Sequence, residues 1–179
     1  GYGKTTIDEK ILSIIQESFQ ELDEISELKS TYCTFELTEQ DDALQIDNLL
    51  IKSKSLQKNL KGCTQVVLFC ATMGLGVDRT LRTYELTNMA KAVVMQACAA
   101  AMLEEYCDEM QDKIAQQLAE EKLYLRPRFS PGYGDLPLEI QSDIFRALDL
   151  TRNLGINLND NLFMTPTKSV TAIVGIKKG

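Results

Sequence analysis

The chain has 179 residues, 44% of them hydrophobic and 25% charged, the composition of an ordinary globular protein. Nineteen Lys and Arg stand against 26 Asp and Glu, a formal net charge of −7; a nucleic-acid partner and a polybasic membrane anchor both need the opposite balance. Histidine and tryptophan are absent, which excludes Ser-His-Asp and Cys-His catalysis and every metal site that needs an imidazole. No metal site is expected in the chain itself, and a partner would supply the nitrogen ligand of any metal cofactor.

No run approaches the roughly 20 apolar residues of a membrane span, and no signal peptide is visible. The length predicts a single domain over residues 1–179. The five cysteines, Cys33, Cys63, Cys70, Cys98 and Cys107, are odd in number and form no Cys-x-x-Cys pair. They read as small buried thiols in a reducing cytoplasm.

In chain order, Gly3-Lys4-Thr5 has the Lys-Thr of a phosphate-binding loop but neither the preceding strand nor the first glycine. Ile7, Ile11, Ile14, Ile15, Phe19, Leu22 and Ile25 then recur at helical spacing, predicting an amphipathic helix over 8–28. Tyr32, Thr34 and Phe35 favour a strand over 30–37. The acidic turn Glu39-Gln40-Asp41-Asp42 leads to a second strand over 44–51, and Ser53 or Ser55 is placed to cap a short helix ending at Gly62.

Residues 65–71, Gln-Val-Val-Leu-Phe-Cys-Ala, are the most hydrophobic run and predict a strand buried on both faces. The Thr72–Gly76 loop carries two glycines that permit close backbone approach and opens into a helix near Val77. The longest helix is expected over 87–120, with Thr87 as its cap, a stripe from Ala90 to Tyr106 in the core, and Glu104, Glu105, Asp108 and Glu109 on a solvated face. Residues 125–137 have no helical period. Pro137 suits the first turn of a helix reaching Leu148, with Asp135 as its cap. Gly155 ends a helical stretch, and residues 170–176 read as a final strand.

The segment Arg126-Pro-Arg-Phe-Ser-Pro-Gly-Tyr-Gly-Asp-Leu-Pro137 stands out chemically. Its prolines and glycines aim backbone groups where a regular element would not. Arg128 can clamp a carboxylate through two N–H groups, and Tyr133 offers a flat face and a hydroxyl. The same residues fit a purely structural role, an arginine paired to an acid and a tyrosine packed on proline.

The Arg-x-x-x-Gly-Tyr pattern of 128–133, followed by Met164-x-Pro166-x-x-Ser169-Val170, resembles the activation domain of cobalamin-dependent methionine synthase, in which both motifs occur in this order. Phe69-Cys-Ala-Thr-Met-Gly74 and the alanine-rich helix add to the match, which covers 61–176. Residues 1–60, a helix plus a strand pair, look more like the stand-alone members of the family. The resemblance implies an α+β domain, a mixed or antiparallel sheet with long helices. It also implies a S-adenosylmethionine-binding subunit that serves reductive remethylation of a separate cobalamin-carrying methionine synthase, with electrons from a flavodoxin-like reductant. Cobalt is then the nucleophile and no general base is needed, which suits a chain without histidine.

Carried over by position, Arg128, Ser130, Pro131, Gly132 and Tyr133 would bind S-adenosylmethionine. Tyr133 is the one candidate for a catalytic role, at the junction with the corrin. Met164, Pro166, Ser169 and Val170 read as structural. The chain departs from the family where full-length synthases carry ligand-contacting aromatics, having Ile173-Val174-Gly175 instead, and it lacks their Asp-Trp segment. Thr72–Gly76 is the loop available to substitute. A partner from another corrinoid methyltransferase system and a docking protein without ligand are the alternative readings.

Overall fold

The computed structural model describes residues 2–179, with side chains described from Asp8 onward. Helix α1 (Tyr2–Ile25) runs through Gly3-Lys4-Thr5, so no phosphate loop forms there; the expected core position of Ile7 lies outside the described side chains. Strand β1 (Lys29–Gln40) turns at Asp41 into β2 (Ala43–Ile46), and β3 (Leu49–Ile51) follows. The single strand expected over 44–51 is thus two, because Asp47 adopts a left-handed φ of 53° and reverses the chain. Helix α2 (Lys54–Asn59) is capped by Ser53, whose hydroxyl oxygen accepts the Leu56 N–H at 3.1 Å.

Strand β4 (Cys63–Thr72) contains the apolar run. The long helical stretch beyond it is α3 (Leu75–Thr87) and α4 (Met89–Ala119), broken at Asn88. Asn88, with an extended φ of −157°, caps α4 by accepting the Lys91 N–H at 3.2 Å, so Thr87 closes α3 instead of capping α4. Next come β5 (Leu123–Leu125), α5 (Ile140–Leu148), α6 (Leu150–Leu154), the hairpin β6 (Asn157–Leu158) with β7 (Met164–Thr165), and β8 (Ser169–Lys178).

Six strands form one sheet in the order β3-β2-β1-β4-β8-β5, antiparallel throughout. Along β4 the side chains alternate as a pleat requires. Val66, Leu68 and Cys70 enter a core with Leu56 of α2 and Ile144 and Leu148 of α5. Val67, Phe69 and Ala71 enter a second core with Leu22 of α1, Val77 and Leu81 of α3, and Met95 and Leu103 of α4. The α+β sheet is therefore covered on both faces, which is why its central strands read as continuous apolar runs.

Helix α1 packs from Ile14 onward, held by Lys91 at 3.5 and 3.7 Å from the Glu17 and Glu21 carboxylates. Ile11 and Phe19, expected on the buried stripe, are exposed. Of the cysteines, Cys70, Cys98 and Cys107 are buried, and burial pushes Cys70 and Cys107 up to about 12 and about 11; Cys33 is exposed on β1. Among the described residues no helix is long and apolar enough to cross a membrane.

Asp135 does not cap the helix that follows it. Its carboxylate reaches across to α2, where it accepts from the Ser53 hydroxyl (2.5 Å) and from the N–H groups of Lys54 (2.9 Å) and Ser55 (3.1 Å). These bonds, the Ser53 hydroxyl first, hold its carboxyl well below the usual aspartate range. Gly134, at φ 56°, makes the approach possible, since a Cβ there would sit 2.8 Å from Ser55 Oγ.

Two outcomes are expected. Asp135→Asn lowers the denaturation midpoint at pH 7. Because the folded carboxyl is depressed, that stability is fully present above the ordinary aspartate value and fades as pH falls toward the folded one. The gap between wild type and variant should therefore begin to narrow as pH falls below the ordinary aspartate value of about 3.9 and go on narrowing in stronger acid, as denaturant titrations at pH 7 and across the acid range would record. Gly175→Ala places a Cβ 2.7 Å from both Cys63 Sγ and Leu60 Cδ2. It should cost about 1–3 kcal/mol by overpacking, read as a lowered Tm.

Candidate functional site

The segment 126–137 leaves the sheet edge after β5 and is tied down along its length. The Arg126 N–H donates to Gly175 O (2.8 Å) and its Nε to Asn59 O (3.0 Å). Phe129 and Ile173 exchange backbone hydrogen bonds at 2.9 and 2.8 Å. The Ser130 hydroxyl donates to Thr171 O at 2.6 Å, and the Thr171 hydroxyl in turn bonds Gln141 Oε1 of α5. The Gly132 N–H donates to Leu136 O (2.9 Å) and closes a turn in which Gly132 has φ 89°. With Asp135 bonded to α2, the loop is held at both ends and presents its tip.

Tyr133 occupies that tip, 70% exposed, its ring edge-on to Phe129 at a centroid separation of 5.3 Å. Phe129, itself buried, is the tyrosine's support, where packing on a proline was the structural alternative. Pro131 and Gly132 shape the turn, and Ser130 has committed its hydroxyl to β8.

Arg128 points the other way, onto α4. Its Nη1 donates to Gln111 Oε1 at 2.8 Å, and its Nη2 lies 2.6 Å from Glu104 Oε1 and 2.9 Å from Asp108 Oδ1. The guanidinium side chain is 15% exposed, the two acids 67% and 63%. Burial works against its charge, but the hydrogen bond and charges of Asp108 and Glu104 outweigh that and raise its pKa. Gln111 is itself held, donating to Arg126 O at 3.3 Å.

These residues line a groove of about 490 Å³ with Pro127, Ser130 and Val170. A neighbouring hollow of about 390 Å³ shares Pro127, Arg128 and Ser130 with it and continues past Phe129 to Tyr133. The arrangement suits a small zwitterion. Arg128 offers donors for a carboxylate, the acids offer acceptors for cationic groups, and the aromatic tip offers a face.

Glu104 and Asp108 lie on a solvated face as expected, and they also pair with Arg128 and form the acidic side of the groove. Residues 104, 108 and 111 share one helix face by their spacing, but their partner lies in an irregular loop that no helical pattern reaches. The two alternative contact regions lie elsewhere. Ile173 and Val174 are buried in β8, where a Cβ on Gly175 would collide with Leu60 and Cys63. Thr72, Gly74 and Gly76 line a separate cavity of about 290 Å³ with Lys29, Arg79 and Pro166. Their glycines answer packing needs, since a Cβ on Gly76 would sit 2.9 Å from Ile25 O.

In the second motif, the Ser169 hydroxyl lies 2.7 Å from both Thr72 Oγ1 and Pro166 O, locking the entry to β8. Asp78 accepts from the Thr167 N–H at 2.9 Å.

A structural α+β domain with a groove at its sheet edge fits the activation-domain class. The profile of the family described as vitamin B12 dependent methionine synthase, activation domain, matches residues 36–178, and the chain belongs to that family. Among solved structures the chain is similar to the MetH reactivation domain, crystallised bound to AdoHcy, with a TM-score of 0.73 and 14% identity over 95% of this chain and 65% of that one. The chain thus spans just under two thirds of that relative's length. A search of curated proteins by sequence gave no match.

Two substitutions separate scaffold from tip. Ser130→Ala removes the bond to Thr171 and should cost about 1 kcal/mol, whereas Tyr133→Phe, at an exposed position, should stay within about 0.5 kcal/mol of wild type. Thermal denaturation of both variants checks this.

Proposed function

We propose that this chain binds S-adenosylmethionine in the Arg128 groove and serves the reductive remethylation of a cobalamin-carrying methionine synthase, as one activation unit over residues 1–179. The observation that carries the reading is the groove itself: a fixed guanidinium flanked by two exposed carboxylates, next to an exposed tyrosine, in a chain of the activation-domain family. The AdoHcy bound to the solved relative is the demethylated form of the same ligand and supports it.

S-adenosylmethionine, when bound, supplies the methyl group and a thioether as leaving group. The chain's own part is to hold and orient. Arg128 donates N–H groups to the ligand carboxylate, and Glu104 and Asp108 accept from its ammonium. The backbone of Ser130, Pro131 and Gly132 shapes the loop, and Tyr133 stands at its rim, where a corrinoid partner would dock. Reducing equivalents come from a separate flavodoxin-like donor, and the system works in the cytoplasm. The family's aromatic contacts have no counterpart at Ile173-Val174-Gly175, and this favours a second reading, a docking protein that does not bind the ligand.

Calorimetric titration with S-adenosylmethionine decides between them. Binding is expected in wild type and should weaken at least tenfold in Arg128→Ala, the ~1.5–3 kcal/mol of a charged hydrogen bond. A Tyr133→Phe protein that binds normally but reactivates a corrinoid partner poorly would place the hydroxyl in the reaction. No binding with the partner present would leave the docking reading standing.

A further inference from the structure

Helix α4 is apolar on two sides. Its inner side, with Met95, Cys98, Ala99 and Leu103, lies in the second core. Residues 92–103 carry no charged side chain, and Gln96 is the one polar residue among them. The outer side is therefore apolar as well. Met89 is 60% and Val93 63% exposed, and the exposed Ala97, Ala100 and Ala101 continue the same face at three- and four-residue spacing. Leu86, 84% exposed, stands at the corner between α3 and α4. Lys91 brings no charge to this face, because its ammonium turns to Glu17 and Glu21 of α1. A helix that is apolar all round belongs in an interior, yet among the described residues nothing covers this side. Contiguous exposed apolar surface of this kind marks an interface.

We propose that a second copy of this chain covers the face, its α4 packed antiparallel across a two-fold axis at Ala97. The face is complementary to itself in shape. Antiparallel pairing about Ala97 sets Val93 of each copy opposite Ala101 of the other, a branched side chain against a small one. Ala97 meets its own equivalent, and so small a side chain lets the helix axes approach to about 8 Å. Charge fits as well. Helix α4 has no acid in its first turn to offset the positive end of its dipole. Ala90, in that first turn, and Glu104 both lie seven residues from Ala97, about 10 Å along the axis. At the shallow crossing angle of a helix bundle, the first turn of one α4 then stands opposite Glu104 of the other. The acidic rim of each groove thus gains a positive neighbour from the second copy. This pairing holds whatever ligand the groove takes.

Sedimentation velocity from low to high micromolar concentration tests this. Wild type should pass from 20.1 kDa toward twice that mass as concentration rises. Ala97→Glu puts a charge at the axis and should leave a monomer at every concentration, with an unchanged circular dichroism spectrum because the position is exposed. Leu12→Glu, at an exposed apolar residue of α1, should leave the dimer intact. Glu104→Gln should weaken the dimer about two- to fivefold, the size of a charge at a helix terminus, and less at raised salt; no change there overturns the antiparallel arrangement. Wild type that stays monomeric overturns the inference. So does a dimer that Leu12→Glu dissociates and Ala97→Glu does not, and so does growth past the dimer, since a two-fold interface closes. A monomer that associates through Ala97 only when a cobalamin-carrying protein is added assigns the face to that partner and overturns it too. None of these outcomes bears on whether the groove binds S-adenosylmethionine.

Discussion

The pairing of β4 with β8 is the constraint on which the rest depends. The two strands run antiparallel from Cys63–Lys177 to Thr72–Ser169, and both faces of the pair are buried. Each strand must supply apolar side chains to two cores at once, so helices are needed on both sides. The groove is a by-product of where this ladder loses its neighbour. Strand β5 pairs with only residues 176–178 of β8, and Phe129 adds one more bridge at Ile173. Beyond that point the outer edge of β8 is uncovered, and the loop lifts away to leave a wall between Val170 and α4. An unprotected edge is a liability in most sheets; here the Ser130 hydroxyl takes the Thr171 carbonyl and blunts it.

The electrostatics of the groove follow from the same geometry. Arg128 could not stand in a partly buried cleft without counter-charge, and α4 provides it at two positions one turn apart. The guanidinium is thereby held in place before any ligand arrives, which reduces the ordering cost of binding. The cost falls elsewhere: a carboxylate entering the groove competes with Glu104 and Asp108 for the same nitrogen. Binding of a carboxylate there would be an exchange within one set of charges.

Much of the framework is legible in the sequence, because it rests on local pattern. The apolar run of β4, the Ser53 cap and the Pro- and Gly-rich loop each follow from a few adjacent residues. What was not legible depends on partners far along the chain. Asp135 looks like a cap for the helix beside it, yet its hydrogen-bond partners are at 53–55. Glu104 and Asp108 look like an ordinary charged face until Arg128 is brought onto them. The break at Asn88 and the reversal at Asp47 are single-residue backbone events inside otherwise continuous patterns. The irregular loop was therefore recognisable, while its acidic partners on α4 were not.

The burial of Ile173, Val174 and Gly175 bears on how such a groove could be re-engineered. Position 175 admits no side chain, and 173 and 174 are interior to the two cores. An aromatic wall cannot be grafted onto this stretch one residue at a time, because each added ring would enter the packed interior instead of the cleft. Val170, which already lines the groove, and the exposed face of α4 are the surfaces open to such change. The architecture thus divides the neighbourhood of the groove into a half that tolerates redesign and a half closed to it, and the boundary falls within a few residues of a single strand.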